Sequence, residues 1–194
     1  MTSQKKQEEK YQAVYIAALE LIAEHGFHGS PVSQIAKRAG IAVGSIYCYF
    51  KDKEDMIFSL HRECERKLDE ALSEPFMADG NKKEKFFAVT TALIKYLMDN
   101  PLELKFMQQF YNSPYGVELA REKYYGEKLE VAKDKPLIGV MIGDEFQDLP
   151  LPLLHSLAFG PAIFSVQDHV TGIQPLDENL INRIVEGCWR AVRK

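Results

Sequence analysis

Between Ser30 and Lys53, in SPVSQIAKRAGIAVGSIYCYFKDK, the hydroxyls of Ser45, Tyr47 and Tyr49 and the ammoniums of Lys51 and Lys53 crowd into a short run. Such groups donate hydrogen bonds and neutralise charge, which suits holding a phosphate rather than breaking a bond. The rest of the chain offers little else for chemistry. None of the histidines, His25, His28, His61, His155 and His169, has a Glu three residues before it, so the Glu-x-x-His pattern of di-iron bundles is missing. There is no His-Glu-x-x-His zinc motif, no phosphate loop and no Gly-x-Ser-x-Gly elbow. Asp168 and His169 are adjacent, and neighbours on a helix point about 100° apart rather than at each other. Cys48, Cys64 and Cys188 are scattered and odd in number, against both a disulfide framework and a zinc cluster. The expectation is a protein that is not an enzyme and uses no cofactor or metal.

The elements that would position the phosphate-holding groups are two short helices around a turn. Ser30 is a good N-cap and Pro31 suits a first helical position. Val32, Ile35, Ala36 and Ala39 supply one apolar face, and Gly40 can end the helix in the left-handed conformation. A second helix is expected over 43–49, with Ile46 and Phe50 inward, Gly44 and Cys48 opposite, and Ser45 and Tyr47 on the flanks. Its outward face is small at its start, which lets backbone approach the edges of bases in a major groove. Gln34 and Lys37 on the first of these helices either add contacts or form a solvated face.

The run AGIAVGSIYCYFKDKEDM, Ala39 to Met56, resembles the DNA-binding signature of TetR-type transcriptional regulators, at motif quality over about residues 10–60. The resemblance implies that Val43, Gly44 and Tyr47 face bases, while Ser45, Tyr49 and Lys53 contact the phosphate backbone. Ser33 stands where many relatives carry a basic residue, and Cys48 has no evident base-reading role. With no Arg, Asn or Gln on the second helix itself, specificity would rest on thymine methyls and DNA shape.

The totals fit. A chain of 194 residues, 46% hydrophobic and 27% charged, has the composition of an ordinary globular protein. No apolar run is long enough to span a bilayer, and MTSQKKQEEK lacks the apolar stretch of a signal peptide, so no membrane partner and a cytoplasmic location are expected. The net charge of −4 divides unevenly: through residue 53, seven Lys and Arg stand against five carboxylates, leaving −6 on the remainder. A basic head on an acidic body is one reading and chance is the other.

The long segments all follow a helical period, so the chain is expected to be all-α. A first helix over 5–25, with Tyr11, Val14, Tyr15, Ala18, Leu21 and Ile22 inward, completes a three-helix DNA-binding domain over residues 1–52. Residues 53–194 then form a larger helical domain for ligand binding and dimerisation. Its helices are expected from Lys53 to just before Pro75, then over 83–99, from Pro101, over 117–132, 153–170 and 180–192. Gly160-Pro161 should kink or interrupt the fifth of the six.

Phe87, Tyr96, Phe106, Phe110, Tyr124 and Phe159, with Gln109 and His155 as polar points, are numerous enough to line an apolar cavity. Ordinary core packing would use the same residues, and the ligand reading comes from the resemblance. The resemblance also implies that the final two helices pair with their copies in a second chain, using Leu157, Gly160, Ile163, Phe164, Ile181, Ile184 and Cys188. A two-fold homodimer suits double-stranded DNA, since two heads about 34–36 Å apart read a palindromic operator together. The implied function is a repressor released by a small, largely apolar effector. The alternative is a helical adaptor whose helix-turn-helix contacts protein.

Overall fold

The computed structural model describes residues 3–125 and 133–194, and ten helices lie among them. They are α1 (Ser3–His25), α2 (Val32–Arg38), α3 (Val43–Ile46), α4 (Lys53–Met77) and α5 (Lys82–Asp99). These are followed by α6 (Pro101–Tyr111), α7 (Pro114–Tyr125), α8 (Pro136–Gly139), α9 (Leu151–Val170) and α10 (Glu178–Val192). Extended pairing among the described residues is confined to a bridge between Phe146 and Arg193. The chain is all-α, as its periodicity predicts.

Packing divides the helices into two units. The first takes residues up to Glu65 together with Leu102–Ser113; the second takes Arg66–Pro101 and the chain from Pro114 on. The domain boundary expected after residue 52 falls inside the first unit, because the start of α4 and nearly all of α6 pack there.

In the first unit, α1 buries Val14, Tyr15, Ala18, Leu21 and Ile22, α2 buries Ile35 and Ala36, and α3 buries Ile46. Met56, Ile57 and Leu60 of α4 and Leu104, Phe106 and Phe110 of α6 close the core. Each of the Val, Leu, Ile, Phe and Met side chains among them contributes about 1.5–3 kcal/mol on leaving water. A polar tie crosses this core. The Tyr15 hydroxyl donates to Glu103 Oε1 at 2.8 Å and lies 3.2 Å from Cys64 Sγ, joining α1, α6 and α4. Burial, then the Cys64 thiol and the Glu103 carboxyl, push the phenol well above its usual range, so it stays a donor.

The second unit is built on α5, α9 and α10. Phe86 stacks on Phe159 with centroids 5.9 Å apart and meets Trp189 at 5.4 Å, and Trp189 meets Phe146 edge-on at 5.6 Å. Asn81 and Glu84 form a reciprocal capping box at the start of α5, and Asp177 Oδ1 accepts from Leu180 N at the start of α10.

Several local expectations need correction. Ser30 does not cap α2: Pro31 occupies that position, and the Ser30 hydroxyl donates to the Gly26 carbonyl at 2.7 Å, closing the preceding turn. The second helix of the motif is shorter than 43–49, ending at Ile46, with Tyr47–Tyr49 continuing as turn. α4 runs through Pro75 to Met77, since a proline in the last turn forfeits little of the helical ladder. α9 likewise passes Pro161 without interruption. α8 was not foreseen, and the helix expected over 117–132 is seen from Pro114 to Tyr125, its remainder lying outside the described residues.

Candidate nucleic-acid interface

The reading elements are α2, the turn at Gly40 and α3. Gly40 has φ +68°, the left-handed conformation the sequence anticipates, and the Ile41 N–H donates to the Ala36 carbonyl at 3.0 Å. Ile46 and Phe50, 1% and 3% exposed, anchor the inner side. The outer side presents Val43 and Tyr47, 41% and 54% exposed, with Gly44 between them and Ser45 half-buried. A Cβ built on Gly44 meets no heavy atom within 4 Å, and its φ is not positive, so nothing in the fold requires glycine there. Cys48 is exposed, its thiol 3.8 Å from the Gly44 carbonyl.

The remaining expected contacts are placed unequally. Gln34 and Lys37 are exposed on α2. Arg38 beside them is held in a two-pronged pair with Glu24 at 2.8 and 3.0 Å, and that bond holds the Glu24 carboxyl below its usual range. Tyr49 leans on α1: its ring meets Tyr11 edge-on at 6.0 Å and its hydroxyl donates to the Gln7 carbonyl at 3.3 Å. Gln7, Glu8, Tyr11 and Tyr49 line an open cleft of about 300 Å³. Lys53 Nζ donates to the Phe27 carbonyl at 2.5 Å, and burial lowers its pKa. Asp52 Oδ1 caps α4 by accepting from Asp55 N, while the Lys51 N–H donates to Asp55 Oδ2. Sequence reading put Tyr11 among core residues and missed its support of Tyr49, because a ring contact across 38 positions leaves no local signal.

The eight residues expected around a ligand divide between the units. Phe106, Gln109 and Phe110 belong to the first, where the Phe106 and Phe110 rings are taken up by Phe27, Phe58 and His61. Tyr124, His155 and Phe159 form a ring cluster in the second, at 5.8 and 5.2 Å between successive centroids. Phe87 lies under the Lys83 ammonium at 4.9 Å, and Tyr96 is half-buried.

Of the residues expected between two chains, Phe164 is 68% exposed, and Leu157, Gly160, Ile163 and Ile184 are half-exposed. Ile181 and Cys188 are enclosed by their own chain, 3% and 0% exposed, which corrects their assignment to a surface. They sit on the side of α10 that faces its own core, and burial raises the Cys188 thiol pKa. A Cβ on Gly160 or Gly187 would meet nothing within 4 Å.

No described helix is long and apolar enough to cross a membrane, and no cluster of metal-ligating side chains occurs among the described residues. Comparison with known proteins adds the lineage. Residues 15–60 match the bacterial regulatory proteins of the tetR family, and residues 81–193 match the tetracyclin repressor-like C-terminal domain. The fatty acid metabolism regulator protein of Bacillus subtilis is 45% identical over 85 residues, 44% of either chain, so this chain spans less than half the length of that relative. A TetR family transcription regulator from Marinobacter aquaeolei shares the fold with a TM-score of 0.82 at 22% identity, covering 98% of this chain and 99% of that one. The transcriptional regulator FadR of Bacillus subtilis, solved with stearoyl-CoA, has a TM-score of 0.60 at 28% identity, covering 94% of this chain and all of that one, 100%. The chain belongs to the TetR family of helix-turn-helix transcriptional regulators, a DNA-binding and non-enzymatic family.

Proposed function

We propose that this regulator is a cytoplasmic repressor that binds a palindromic operator as a homodimer and lets go when a largely apolar ligand occupies its second unit. The observation that carries the DNA half is the outer face of α3. Gly44 is small without any need of the fold, and exposed Val43 and Tyr47 flank it, as close approach to base edges demands. In this reading Ser45 and Tyr49 supply hydroxyls to phosphates, Tyr49 by turning from the Gln7 carbonyl, and Gln34 and Lys37 extend the footprint along α2.

Dimerisation through α9 and α10 is supported by exposed Phe164 and half-exposed Leu157, Ile163 and Ile184, with open space over Gly160 and Gly187 where a second backbone could approach. A second chain bearing the same surface makes a self-complementary two-fold contact, and the operator acquires the same symmetry. For the ligand, the ring cluster of Tyr124, His155 and Phe159 is the candidate lining, apolar with two polar groups, and a ligand would enter by displacing its present packing. The FadR structure with stearoyl-CoA makes a long-chain acyl thioester the first compound to try. A ligand acts only by its differential affinity for the operator-bound and free conformations.

The test is selection from a random duplex pool at stated salt, followed by titration of the selected duplex with stearoyl-CoA and, as control, CoA alone. Enrichment of a palindrome that Tyr47→Ala no longer holds, with release by the acyl thioester only, is the expected result. Absence of enrichment would turn the motif toward a protein partner, and release by neither compound would remove this ligand class.

A further inference from the structure

Tyr49 stands past the end of α3. That helix stops at Ile46 and Tyr47–Tyr49 continue as turn, so the helix itself does not set the direction of the Tyr49 side chain. Ring packing sets it instead. The Tyr49 ring meets Tyr11 of α1 edge-on at 6.0 Å and the Phe50 ring at 6.3 Å, and Tyr11 and Phe50 are themselves 5.8 Å apart. Such spacings favour offset and edge-to-face aromatic pairs. Phe50, 3% exposed, anchors the cluster, while Tyr11 and Tyr49 are half-buried.

The Tyr49 hydroxyl is placed without being committed. It donates to the Gln7 carbonyl at 3.3 Å, long for a hydroxyl donor. That carbonyl lies inside α1, where the Tyr11 N–H four residues on is its helical donor, so it stays bonded when the hydroxyl leaves. A phenol's hydrogen turns about the C–O bond while the oxygen keeps its place on the ring. A phosphate arriving at the open cleft of Gln7, Glu8, Tyr11 and Tyr49 can therefore take this hydrogen bond without any movement of the ring. The contact needs a ring already in place, and Tyr11 brings that support from another element, 38 positions away.

We propose that Tyr11 is a positioning residue for operator binding: its ring, braced by Phe50, holds the Tyr49 ring where the Tyr49 hydroxyl passes from the Gln7 carbonyl to a phosphate. The proposal rests on the operator-binding reading above.

A double-mutant cycle on the selected duplex tests it, using Tyr11→Leu, Tyr11→Phe, Tyr49→Phe and the double variant of Tyr11→Leu with Tyr49→Phe. A hydrogen bond to a charged group is among the stronger kind, so Tyr49→Phe should weaken binding about tenfold. Tyr11→Leu, which loses the ring, should weaken it about fivefold, and Tyr11→Phe, which keeps the ring, by less than about twofold. The double variant should bind no worse than Tyr49→Phe, because Tyr11 acts through a hydroxyl already removed. Losses that multiply in the double variant would make Tyr11 a structural residue only, and an equal loss in Tyr11→Phe and Tyr11→Leu would give the role to its own hydroxyl. Either result overturns the proposal, as does wild-type affinity in Tyr11→Leu or Tyr49→Phe.

Should Tyr11→Leu fail to fold, wild-type protein with 13C-labelled tyrosine rings decides. Nuclear Overhauser contacts between the Tyr11 and Tyr49 ring protons should be present in the free protein and persist when the operator is added. Their absence from the free protein, or their loss on the operator, defeats the positioning role. A wild type that enriches no operator brings down the operator-binding reading and this proposal with it, whereas operator binding with independent losses brings down the proposal alone.

Discussion

Bonds between elements and packed rings occur in both units, as between Lys135 and Asp69 in the second and Phe106 and Phe110 in the first, but the two treat their buried polar groups differently. In the first, the buried Tyr15 hydroxyl is bonded to Glu103 and the half-buried Lys53 ammonium to the Phe27 carbonyl. In the second, the described interior rests on the rings of Phe86, Phe146, Phe159 and Trp189, and the buried Thr90 hydroxyl has no hydrogen-bond partner. Hydrogen bonds fix distance and angle, whereas apolar burial scales with area and tolerates repacking. Under the proposed function, the unit that meets a duplex gains from the first kind of restraint. The unit proposed to admit a ligand gains from the second.

That contrast can be broken or sharpened in order of expected size. Phe86→Ala removes a ring shared by Phe146, Phe159 and Trp189 and should lower unfolding free energy by about 3–5 kcal/mol in denaturant titration. A loss below about 1 kcal/mol would mean that this interior collapses far more easily than close packing allows.

Glu103→Ala takes from Tyr15 its hydrogen-bonding carboxylate in a site where both residues are buried, and should cost about 1–3 kcal/mol. Operator affinity should fall with it. Unchanged affinity in a destabilised variant would show that the tie serves stability alone.

Gly44→Ala is predicted to leave unfolding unchanged or raise it by up to about 1 kcal/mol, alanine being the better helix former. Operator binding should nevertheless weaken about tenfold, near 1.4 kcal/mol. Wild-type affinity in this variant would remove the argument that the glycine is small on behalf of DNA.

Thr90→Val replaces an unpartnered buried hydroxyl by a methyl of similar shape and should stabilise the second unit by about 1 kcal/mol. Stabilisation accompanied by a lost ligand response would instead assign the hydroxyl to the ligand. Arg38→Ala should be the mildest change, since the Arg38–Glu24 pair is solvent-facing; a shift of the unfolding midpoint beyond measurement error would contradict that.

The helix-turn-helix was legible because its signals are local. The apolar spacing of Ile35, Ala36 and Ile46, the left-handed turn at Gly40, and the cap from Asp52 each depend on residues within a few positions of one another. The same is true of the helical boundary at Pro101. The proline positions were harder: a proline reads as a break from sequence, yet Pro75 and Pro161 sit inside helices whose remaining bonds and packing outweigh one missing donor.

Partnership over distance was not legible. Sequence alone established an all-α chain, a motif with its small outward face, and a supply of aromatic residues sufficient for a core or a cavity. Only tertiary structure decided that Ser30 closes a turn rather than caps a helix, that Cys188 and Ile181 point into their own chain, and that Phe106 and Phe110 pack with the reading unit. The same holds for Lys53, whose charge is evident in the sequence but whose partner, Phe27, lies 26 positions earlier. Periodicity records which face of a helix is apolar, since that depends on the chain's own repeat. Which apolar or polar group meets it depends on how distant segments pack, and no local spacing encodes that.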